Sequence, residues 1–457
     1  NFECARRGVM LVAAISTKHP ITSIMVRQRH AASKPLSPIT ETDKDQKRRK
    51  AHRGNISNGV ATKKTVLFAA SALSAILLLT RYGPRIHYIK NDMPGYVMKT
   101  SPRAFTPVPE GNRKTFWFDG GKISFPMVRA LRSAGFQKVN QMEDAQIVFQ
   151  YRSNNLYDKL KPWQRLNHIP GYRHWNRKDT ILDGFKAYQE RTGSDLYFLP
   201  ESYRLEQGQE EFKRRILEEG GLHLPWVLKK PDVNQGKGIE LIAPNSERLE
   251  QVASSELDED YIIQRYVCNE LTWDGRKFDI RMFWFVASVE PMIVLYHDGY
   301  SRIGNGDYSE HDFKDTTSHL TTYTGLGEEV KDTFQEFEKR LLQHYRSSPN
   351  LRHIRDPVQH VRNQFKDSLG EFIDAFKDLN FSHPGRDVMT SENAYGFYGA
   401  DYILDQDLDV WLLEPQKGCG MDEDYKFRVE MHDALFGGMV STLEEIWYKQ
   451  EAGEPVL

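Results

Sequence analysis

The segment that most constrains the fold is a long stretch of strand-forming sequence, "KFDIRMFWFVASVEPMIVLY". Its first half alternates the charged residues Lys277, Asp279 and Arg281 with apolar ones, and the period of 2 in a strand places the three charges on one face. Phe283 and Phe285 continue that face, so it does not simply point into water. Charges beside apolar side chains are costly unless they are paired or bind a ligand. We expect a functional site here; a structural network of ion pairs is the alternative.

A glycine-containing loop joins two other strand-like runs in "WVLKKPDVNQGKGIELI". Exposed backbone N–H groups beside glycines, together with lysines, are typical of phosphate-binding loops. A Walker loop is excluded because Gly236-Lys237-Gly238 leads into a strand-like run rather than into a serine or threonine and a helix. In protein kinases the glycine loop lies before the strand that carries the lysine, whereas in this chain the lysines come before the glycines. The kinase motifs His-Arg-Asp and Asp-Phe-Gly are also absent, so a protein-kinase loop is excluded. An exposed hairpin with solvated lysines is the alternative to a phosphate site.

A second group of acidic residues lies in "GADYILDQDLDVWLLEPQ", where two apolar runs flank the polar turn 405–409. Folding back at this turn brings Asp401 roughly opposite Glu414, although a slip of one residue would separate them. Paired carboxylates with the amide oxygen of Gln416 nearby are the ligands that Mg²⁺ prefers beside nucleotide phosphates. The alternative is that the acids only make the edge of a sheet soluble.

The first 64 residues differ in composition from the rest of the chain. They carry 14 Lys/Arg against 4 Asp/Glu, a net charge of +10, which leaves −11 for the other 393 residues. This basic head is too polar to form a core, and we predict that it is disordered. Residues 65–80 contain no charge and predict a transmembrane helix, although a span usually needs roughly 20 residues. A buried helix and the apolar part of a signal peptide are the alternatives.

The globular part begins near residue 114. "TFWFDG" and "AQIVFQYR" predict strands and "FPMVRALRSAGF" predicts a helix between them, which together indicate a small α/β lobe. A helix is predicted after Asn176, and "DYIIQRYV" predicts a further strand. The three cysteines neither form a disulfide framework nor have the spacing of a zinc site.

Seven segments together resemble the tubulin–tyrosine ligase-like family in their order and approximate spacing: "NHIPGYRHWNRKD", "WVLKKPDVNQGKGIELI", "YIIQRYV", "GRKFDIRMFWFVAS", "GYSRIGNGDYS", "SHLTTYT" and "ADYILDQDLDVWLLEPQ". The resemblance covers roughly Thr115 to Tyr448. It implies an α+β chain with the ATP-grasp fold, in which two antiparallel β-lobes hold ATP and Mg²⁺. It also implies ligation of a free amino acid to a tubulin tail or another acidic-tailed protein, through an acyl phosphate.

The resemblance also implies roles for individual residues. Lys178 and Lys230 resemble phosphate-contacting lysines, and Gln235, Gly236, Lys237, Gly238 and Ile239 the loop over the phosphates. Gln264, Arg265, Tyr266 and Val267 look like the strand that holds the adenine. Lys277 and Asp279 fall on the nucleotide side, Arg281 and Arg302 resemble ligands of the substrate carboxylate, and Asp401, Glu414 and Gln416 fall on magnesium positions. Thr322 and Gln416 stand where most relatives have asparagine, which puts full activity in doubt.

The predicted organisation follows from these segments. It comprises a disordered head (1–64), a transmembrane helix (65–80), a stem (81–112), a small N-terminal α/β lobe (113–175), a central ATP-grasp lobe (176–265) and a C-terminal ATP-grasp lobe (266–452). We expect a glutamylase-type ligase acting on tubulin or microtubules, with no nucleic-acid partner. A nucleotide-binding pseudoenzyme and a membrane-anchored ligase for a non-tubulin acceptor are the alternatives. The lysines and arginines around 65–80 favour a lumenal domain, whereas chemistry on tubulin requires the cytosol. A sixteen-residue span with charges on both sides is a weak orientation signal, so we expect a single-pass membrane protein with a cytoplasmic catalytic domain.

Overall fold

The computed structural model describes residues 10–14, 87–91, 105–119, 125–150, 159–169, 172–175, 177–233, 238–254, 260–289, 291–321, 330–381, 393–416 and 418–456. The strands in these ranges are β1 (Met10–Ala14), β2 (His87–Asn91), β3 (Thr115–Phe118), β4 (Gln137–Lys138), β5 (Ile147–Phe149), β6 (Arg165–Leu166), β7 (Ser202–Arg204), β8 (Trp226–Lys229), β9 (Ile239–Ile242), β10 (Ile262–Arg265), β11 (Thr272–Trp273), β12 (Arg276–Val289), β13 (Met292–Asp307), β14 (Val330–Thr333), β15 (Gly396–Leu404) and β16 (Val410–Gln416).

The α-helices of the described ranges are α1 (Phe125–Ser133), α2 (Lys178–Thr192), α3 (Leu205–Leu217), α4 (Glu247–Ser254), α5 (Thr316–His319), α6 (Phe334–Ser347), α7 (Pro357–Phe381) and α8 (Lys426–Ala452). The helix predicted within "FPMVRALRSAGF" is confirmed as α1, and the helix predicted after Asn176 is confirmed as α2. α2 ends at Gly193, whose φ of +72° is the left-handed conformation that glycine adopts at helix ends.

Three sheets organise the described chain. The largest runs in the order β1-β2-β13-β12-β15-β16, with β11 on β12 and β14 on β13, and its pairs are antiparallel. A second antiparallel sheet runs β7-β10-β8-β9, and a small parallel sheet runs β4-β3-β5-β6. The expectation of a mixed α and β fold is confirmed, and the small parallel sheet lies in the part of the chain where a small α/β lobe is predicted.

The long strand β12 is the centre of the large sheet, and its two faces have different surroundings. Its even-numbered apolar residues join a core with α2, α6 and α7, to which Phe278, Ile280, Met282 and Trp284 belong. Phe283 and Phe285 lie on the other face, in a core with α1 and α8. The odd-numbered face of β12 is therefore charged in its first half and packs into an apolar core in its second half.

The second sheet has its own core, which fixes how β8 is turned. Trp226 and Leu228 pack with Phe212 of α3 and Leu249 of α4, and all four side chains are at most 2% exposed. Since neighbouring side chains of a strand point to opposite faces, Val227 and Lys229 face away from this core. That opposite face looks onto the cleft described below.

One prediction for the N-terminal part needs correction. The membrane-anchored localisation is overturned, because the described part of the chain contains no helix that is both long and apolar enough to cross a membrane. The longest described helices, α7 and α8, carry charged residues along their length. Residues 65–80, on which the anchor was predicted, lie outside the described residues. Of the head predicted to be disordered, the structure describes only residues 10–14, which form β1 and pair with β2; its other residues lie outside the described ranges, and the disorder stays a prediction.

Candidate active site

A cleft lies between the second sheet and the large sheet. Its walls come from β8, β9, β10 and the segment after β10 on one side, and from β12, β13, β15 and β16 on the other. The lining residues are Lys178, Pro200, Val227, Lys229, Val233, Ile239, Leu241, Gln264, Arg265, Tyr266, Val267, Glu270, Lys277, Asp279, Arg302, His319, Leu320, Thr321, Asp401, Ile403, Leu413 and Glu414.

Lys229, rather than its neighbour Lys230, lines the cleft. The Lys229 ammonium donates a hydrogen bond to Gln264 Oε1 at 2.6 Å. Burial lowers the pKa of Lys229 to about 8, and the charge of Glu414 acts in the opposite direction. Lys230, which we predicted as a phosphate contact, is not among the lining residues, and its ammonium lies 5.8 Å from the centre of the Tyr261 ring. The reason is that successive side chains alternate between the two faces of β8, so Lys230 continues the face of Trp226 and Leu228, which is turned into the core.

Lys178 begins α2 and reaches the same part of the cleft. Its ammonium donates to the backbone carbonyl of Val233 at 2.8 Å and lies 3.6 Å from Glu414 Oε2. Lys178 thereby connects the start of the glycine loop with β16. An ammonium on a long side chain between a loop and a carboxylate is well placed to meet an anion.

The glycine loop is described only at its end. Gln235, Gly236 and Lys237 lie outside the described residues. Gly238 has a φ of +68°, and its carbonyl accepts a hydrogen bond from the Lys230 backbone N–H at 3.2 Å. Ile239 begins β9 and lines the cleft. The positive φ explains why glycine occurs where the loop re-enters the strand.

All four residues of the predicted adenine-binding segment, Gln264, Arg265, Tyr266 and Val267, line the cleft. Gln264 accepts from Lys229 and donates to Ser202, so both ends of its amide are engaged. The Tyr266 hydroxyl lies 2.8 Å from His319 Nδ1, and burial raises the Tyr266 pKa. Burial lowers the pKa of His319. The side chains of Gln264 and Tyr266 in this wall of the cleft are therefore held by hydrogen bonds to other residues of the protein.

Lys277 pairs with Glu270, a residue that sequence reasoning missed. The Lys277 ammonium lies 2.5 Å from Glu270 Oε1 and 3.3 Å from the Tyr266 hydroxyl. Both partners of the pair are buried, with 6% and 2% of their surface exposed. A lone glutamate in "YVCNELTW" gives no pattern from which to infer a buried role, and only the chain reversal from β11 to β12 brings it to Lys277.

Asp279 and Arg302 form a second buried pair, because β12 and β13 place them directly opposite each other. The guanidinium binds both carboxylate oxygens, with Nε to Oδ1 at 2.6 Å and Nη2 to Oδ2 at 2.8 Å. The Thr321 hydroxyl also donates to Asp279 Oδ2. Burial raises the pKa of Asp279, and the charge of Arg302 only partly offsets it. Thr322, the first of the two positions that depart from most relatives, lies outside the described residues.

Asp401 joins this pair to Arg281. β12 and β15 place Arg281 opposite Asp401, and its guanidinium binds both oxygens of that carboxylate at 2.8 and 2.7 Å. Arg302 Nη2 lies 2.9 Å from Asp401 Oδ2. Although burial acts to raise it, the two arginines lower the pKa of Asp401 to about 2. Arg281 is not among the residues that line the cleft. Both arginines predicted as substrate ligands thus bind protein carboxylates in this structure.

The predicted pairing of Asp401 with Glu414 across β15 and β16 is confirmed. The amide nitrogen of Gln416 donates to Glu414 Oε1 and lies 3.4 Å from Asp401 Oδ2. Gln416 itself does not line the cleft, whereas both carboxylates do. Turning the amide over would present its oxygen to the same place, because the two ends of an amide differ little in size.

The carboxylate oxygens of Asp401 and Glu414 fit a magnesium ion whose coordination is completed by a bound ligand. The described residues contain no group of three or more His, Cys, Asp or Glu able to hold a metal. Mg²⁺ in nucleotide sites is commonly bound by one or two carboxylates together with phosphates and water, so a pair is sufficient. Asp401 Oδ1 accepts one hydrogen bond, from Arg281, and keeps a second lone pair. Glu414 is the more accessible of the two, with 29% of its side chain exposed.

A cleft with lysines and a carboxylate pair at one end is typical of proteins that bind phosphorylated ligands. Comparison with known proteins identifies the class. The tubulin-tyrosine ligase family model matches residues 156–436, more than half of the chain. The chain therefore belongs to the tubulin-tyrosine ligase family.

Individual relatives are similar at low identity. The probable tubulin polyglutamylase TTLL2 of Mus musculus is 26% identical over 298 residues, covering 61% of this chain and 52% of the relative. The probable alpha-tubulin polyglutamylase Ttll1 of Tetrahymena thermophila is 25% identical over 295 residues, covering 56% and 66%. The tubulin polyglutamylase TTLL5 of Homo sapiens is 26% identical over 298 residues, covering 61% and 22%. The match thus spans about half the length of the first of these relatives.

Proposed function

We propose that the chain is an ATP-dependent ligase that joins an amino acid, with glutamate as the first candidate, to a carboxylate of a protein, with an acidic tubulin tail as the first acceptor. The observation that carries the proposal is the meeting of Lys178, Lys229 and the Asp401–Glu414 pair at one end of a cleft between two antiparallel sheets. Cations beside a magnesium-type acid pair suit the polyphosphate of a nucleotide. The names of the relatives supply the first choice of amino acid and acceptor.

The proposal includes an ATP-grasp arrangement, in which the two antiparallel sheets hold the nucleotide between them. The Gln264–Val267 segment would contact the adenine, because it lines the cleft and Val227, opposite Gln264 in the sheet, supplies an apolar surface for a ring. Successive cleft-facing residues of β12 are about 7 Å apart. A nucleotide lying along β12 would therefore pass Lys277 and then Asp279 before its phosphates reached the Asp401–Glu414 pair.

Asp401 and Glu414 would hold Mg²⁺, with the oxygen of Gln416 as a further ligand after its amide turns over. The ion, when bound, would neutralise phosphate charge. Lys178 and Lys229 would contact phosphate oxygens directly, as point charges with several donors each. The chain's own groups thus orient the terminal phosphate and make it a better electrophile.

The reaction that fits this inventory has two steps. A carboxylate oxygen of the acceptor protein attacks the terminal phosphorus of ATP, which forms an acyl phosphate and releases ADP. The amine of the incoming amino acid then attacks the acyl carbon, forming an amide and releasing phosphate and a proton. We propose that Arg302 and Arg281 orient the carboxylates of the reactants, after exchanging part of their contact with Asp279 and Asp401 for the substrate.

The charge of the chain bears on the acceptor. Outside the first 64 residues the net charge is −11, which repels an acidic tail at long range. The first 64 residues carry +10 and supply the complementary charge. We propose that this segment helps to capture the acceptor, so acceptor binding should weaken with increasing salt.

One observation favours a second candidate, a nucleotide-binding pseudoenzyme. Both oxygens of Asp401 are engaged by two arginines, and the Gln416 amide donates to Glu414. In this state the acid pair is satisfied by protein groups and has little need of a metal. A chain that kept this arrangement with ATP bound would bind nucleotide without transferring phosphate.

Labelled amino-acid incorporation tests the proposal and separates the candidates. The full chain is incubated with ATP, magnesium and tubulin, and labelled glutamate, glycine and tyrosine are supplied in separate reactions. ATP-dependent labelling of tubulin that Glu414→Gln abolishes would support the ligase. ATP binding without labelling of tubulin or of proteins in a whole lysate would favour the pseudoenzyme, and absence of ATP binding would refute both candidates.

A further inference from the structure

The buried pair of Glu270 and Lys277 has one unused acceptor. Glu270 Oε1 accepts from the Lys277 ammonium at 2.5 Å, whereas Glu270 Oε2 is buried and has no hydrogen-bond partner among the described residues. A buried carboxylate oxygen without a partner is costly, and native structures seldom keep one unless a ligand, an ion or a water molecule uses it. Both residues line the cleft.

The position of this pair along the cleft narrows the ligand group that could use it. Lys277 is 3.3 Å from the hydroxyl of Tyr266, in the segment proposed to contact the adenine. Asp279 and then Arg281 follow at every second position of β12, and Arg281 already contacts the Asp401 carboxylate of the magnesium end. The pair is therefore about 13 Å from Arg281 along the strand. This separation places it with the base of a bound nucleotide and away from its phosphates.

The two side chains offer one acceptor and one donor next to each other. Adenine presents a matching edge, with an amino group that donates and the ring nitrogen N7 that accepts. Guanine and hypoxanthine carry an oxygen in place of that amino group, so two acceptors would face Glu270 and Lys277. The carboxylate of Glu270 would repel this oxygen, and its Oε2 would stay unpaired.

We propose that Glu270 selects the nucleotide base, with its Oε2 accepting from the exocyclic amino group of adenine while the Lys277 ammonium donates to N7. The inference rests on the proposed function, since it requires a nucleotide in this cleft. It assigns to Glu270 a role in specificity that is separate from phosphate and magnesium binding. Lys277 holds the carboxylate in place through Oε1 and leaves Oε2 for the base.

The test compares the affinities of ATP and inosine triphosphate, which has an oxygen in place of the amino group. Calorimetric titration of the full chain should give a strong preference for ATP. In Glu270→Gln the amide can turn and donate to the oxygen of inosine, so the preference should fall by about tenfold or more. Glu270→Asp keeps the charge beside Lys277 but withdraws the oxygen, and it should lower the preference in the same direction. Glu338→Gln, which alters a carboxylate paired with Arg362 outside the cleft, should keep the wild-type preference.

Several outcomes would overturn the inference. Folded Glu270→Gln or Glu270→Asp protein that keeps the wild-type preference, with circular dichroism and melting temperature near wild type, would show that Glu270 does not read the base. A measurement on unmodified protein guards against misfolded variants: 7-deaza-ATP replaces N7 by a C–H group and should bind about tenfold more weakly than ATP. Equal affinity for ATP and 7-deaza-ATP would remove Lys277 from the site. A wild-type chain that binds no nucleoside triphosphate would instead refute the proposed function itself.

Discussion

Replacing Lys229 with methionine should weaken ATP binding, whereas the same change at Lys230 should have little effect. Methionine keeps most of the length of the side chain, so the comparison isolates the ammonium group. Lys229 lines the cleft and Lys230 does not. The adjacent lysines therefore form a matched pair in which composition is equal and only the direction of the side chain differs.

The expected size of the effect follows from the contacts of Lys229. A hydrogen bond between a charged donor and a phosphate oxygen contributes about 1.5–3 kcal/mol, or about 10- to 150-fold in Kd. The mutation also removes the donor to Gln264 Oε1, which lies 2.6 Å from the ammonium, and this adds to the loss. For Lys230, whose ammonium is 5.8 Å from the centre of the Tyr261 ring, we expect a change of less than about threefold.

The assay is calorimetric titration of ATP with magnesium into the full-length wild-type chain and the two variants. Melting temperatures measured without nucleotide serve as a control, because replacing the partly buried Lys229 also changes the stability of the folded protein. Equal affinities of the Lys229→Met variant and the wild type would refute the assignment of the phosphate end of the cleft. A loss in Lys230→Met as large as in Lys229→Met would show that the direction of these side chains does not determine their role.

Four further predictions concern the same cleft. ATP affinity should fall as the pH rises above about 8, by at most about tenfold per pH unit. The reason is that Lys229 loses its proton in the free protein at that pH and must regain it to bind phosphate. The pH dependence should be absent from titrations of Lys229→Met, and a flat wild-type profile would contradict the lowered pKa. Glu414→Gln should lower labelling of the acceptor by about tenfold or more while ATP binding without magnesium is retained, and full activity of this variant would exclude Glu414 as a metal ligand. Arg281→Lys should lower the free energy of unfolding by about 1–3 kcal/mol in denaturant titrations, because lysine cannot bind both oxygens of Asp401 at once; unchanged stability would mean that the paired geometry contributes little. Gln416→Asn, which withdraws the amide by about 1.5 Å, should lower labelling or leave it unchanged, and a large gain in labelling would mean that glutamine impairs the natural site.

Several features of the site follow from local sequence. The period of 2 in "KFDIRMFWF" is sufficient to place Lys277, Asp279 and Arg281 on one face, and that face meets the cleft only in its first half. The polar turn after β15 brings the two strands of the hairpin together, but its register alone would place Asp401 opposite Leu413. A bulge between Asp401 and Tyr402 shifts the register and brings Glu414 opposite Asp401. In both cases the relevant residues are close in sequence, but only the first is decided by the backbone geometry of a single strand; the second also needs the bulge in the hairpin.

The partners of these charges could not be predicted in the same way. Asp279 meets Arg302 through the register of β12 with β13, which shifts at bulges between Arg281 and Phe283 and between Val286 and Ser288. Arg281 meets Asp401 through the pairing of β12 with β15, between residues 120 positions apart in the chain. The two readings of the charged strand, a functional site and an ion-pair network, therefore do not exclude each other. The same carboxylate and guanidinium groups line or adjoin a cleft and also neutralise one another.

The choice between Lys229 and Lys230 shows most clearly what tertiary structure decided. Within "WVLKK" both faces of the strand carry apolar residues and each ends in a lysine, so the alternation alone cannot tell which lysine faces the cleft. Packing of Trp226 against α3 decides the matter, because the large indole is buried in the core and turns the opposite face outward. The sequence by itself determined that a lysine would end this strand beside a glycine loop. Only the burial of one face against two helices determined which lysine it was.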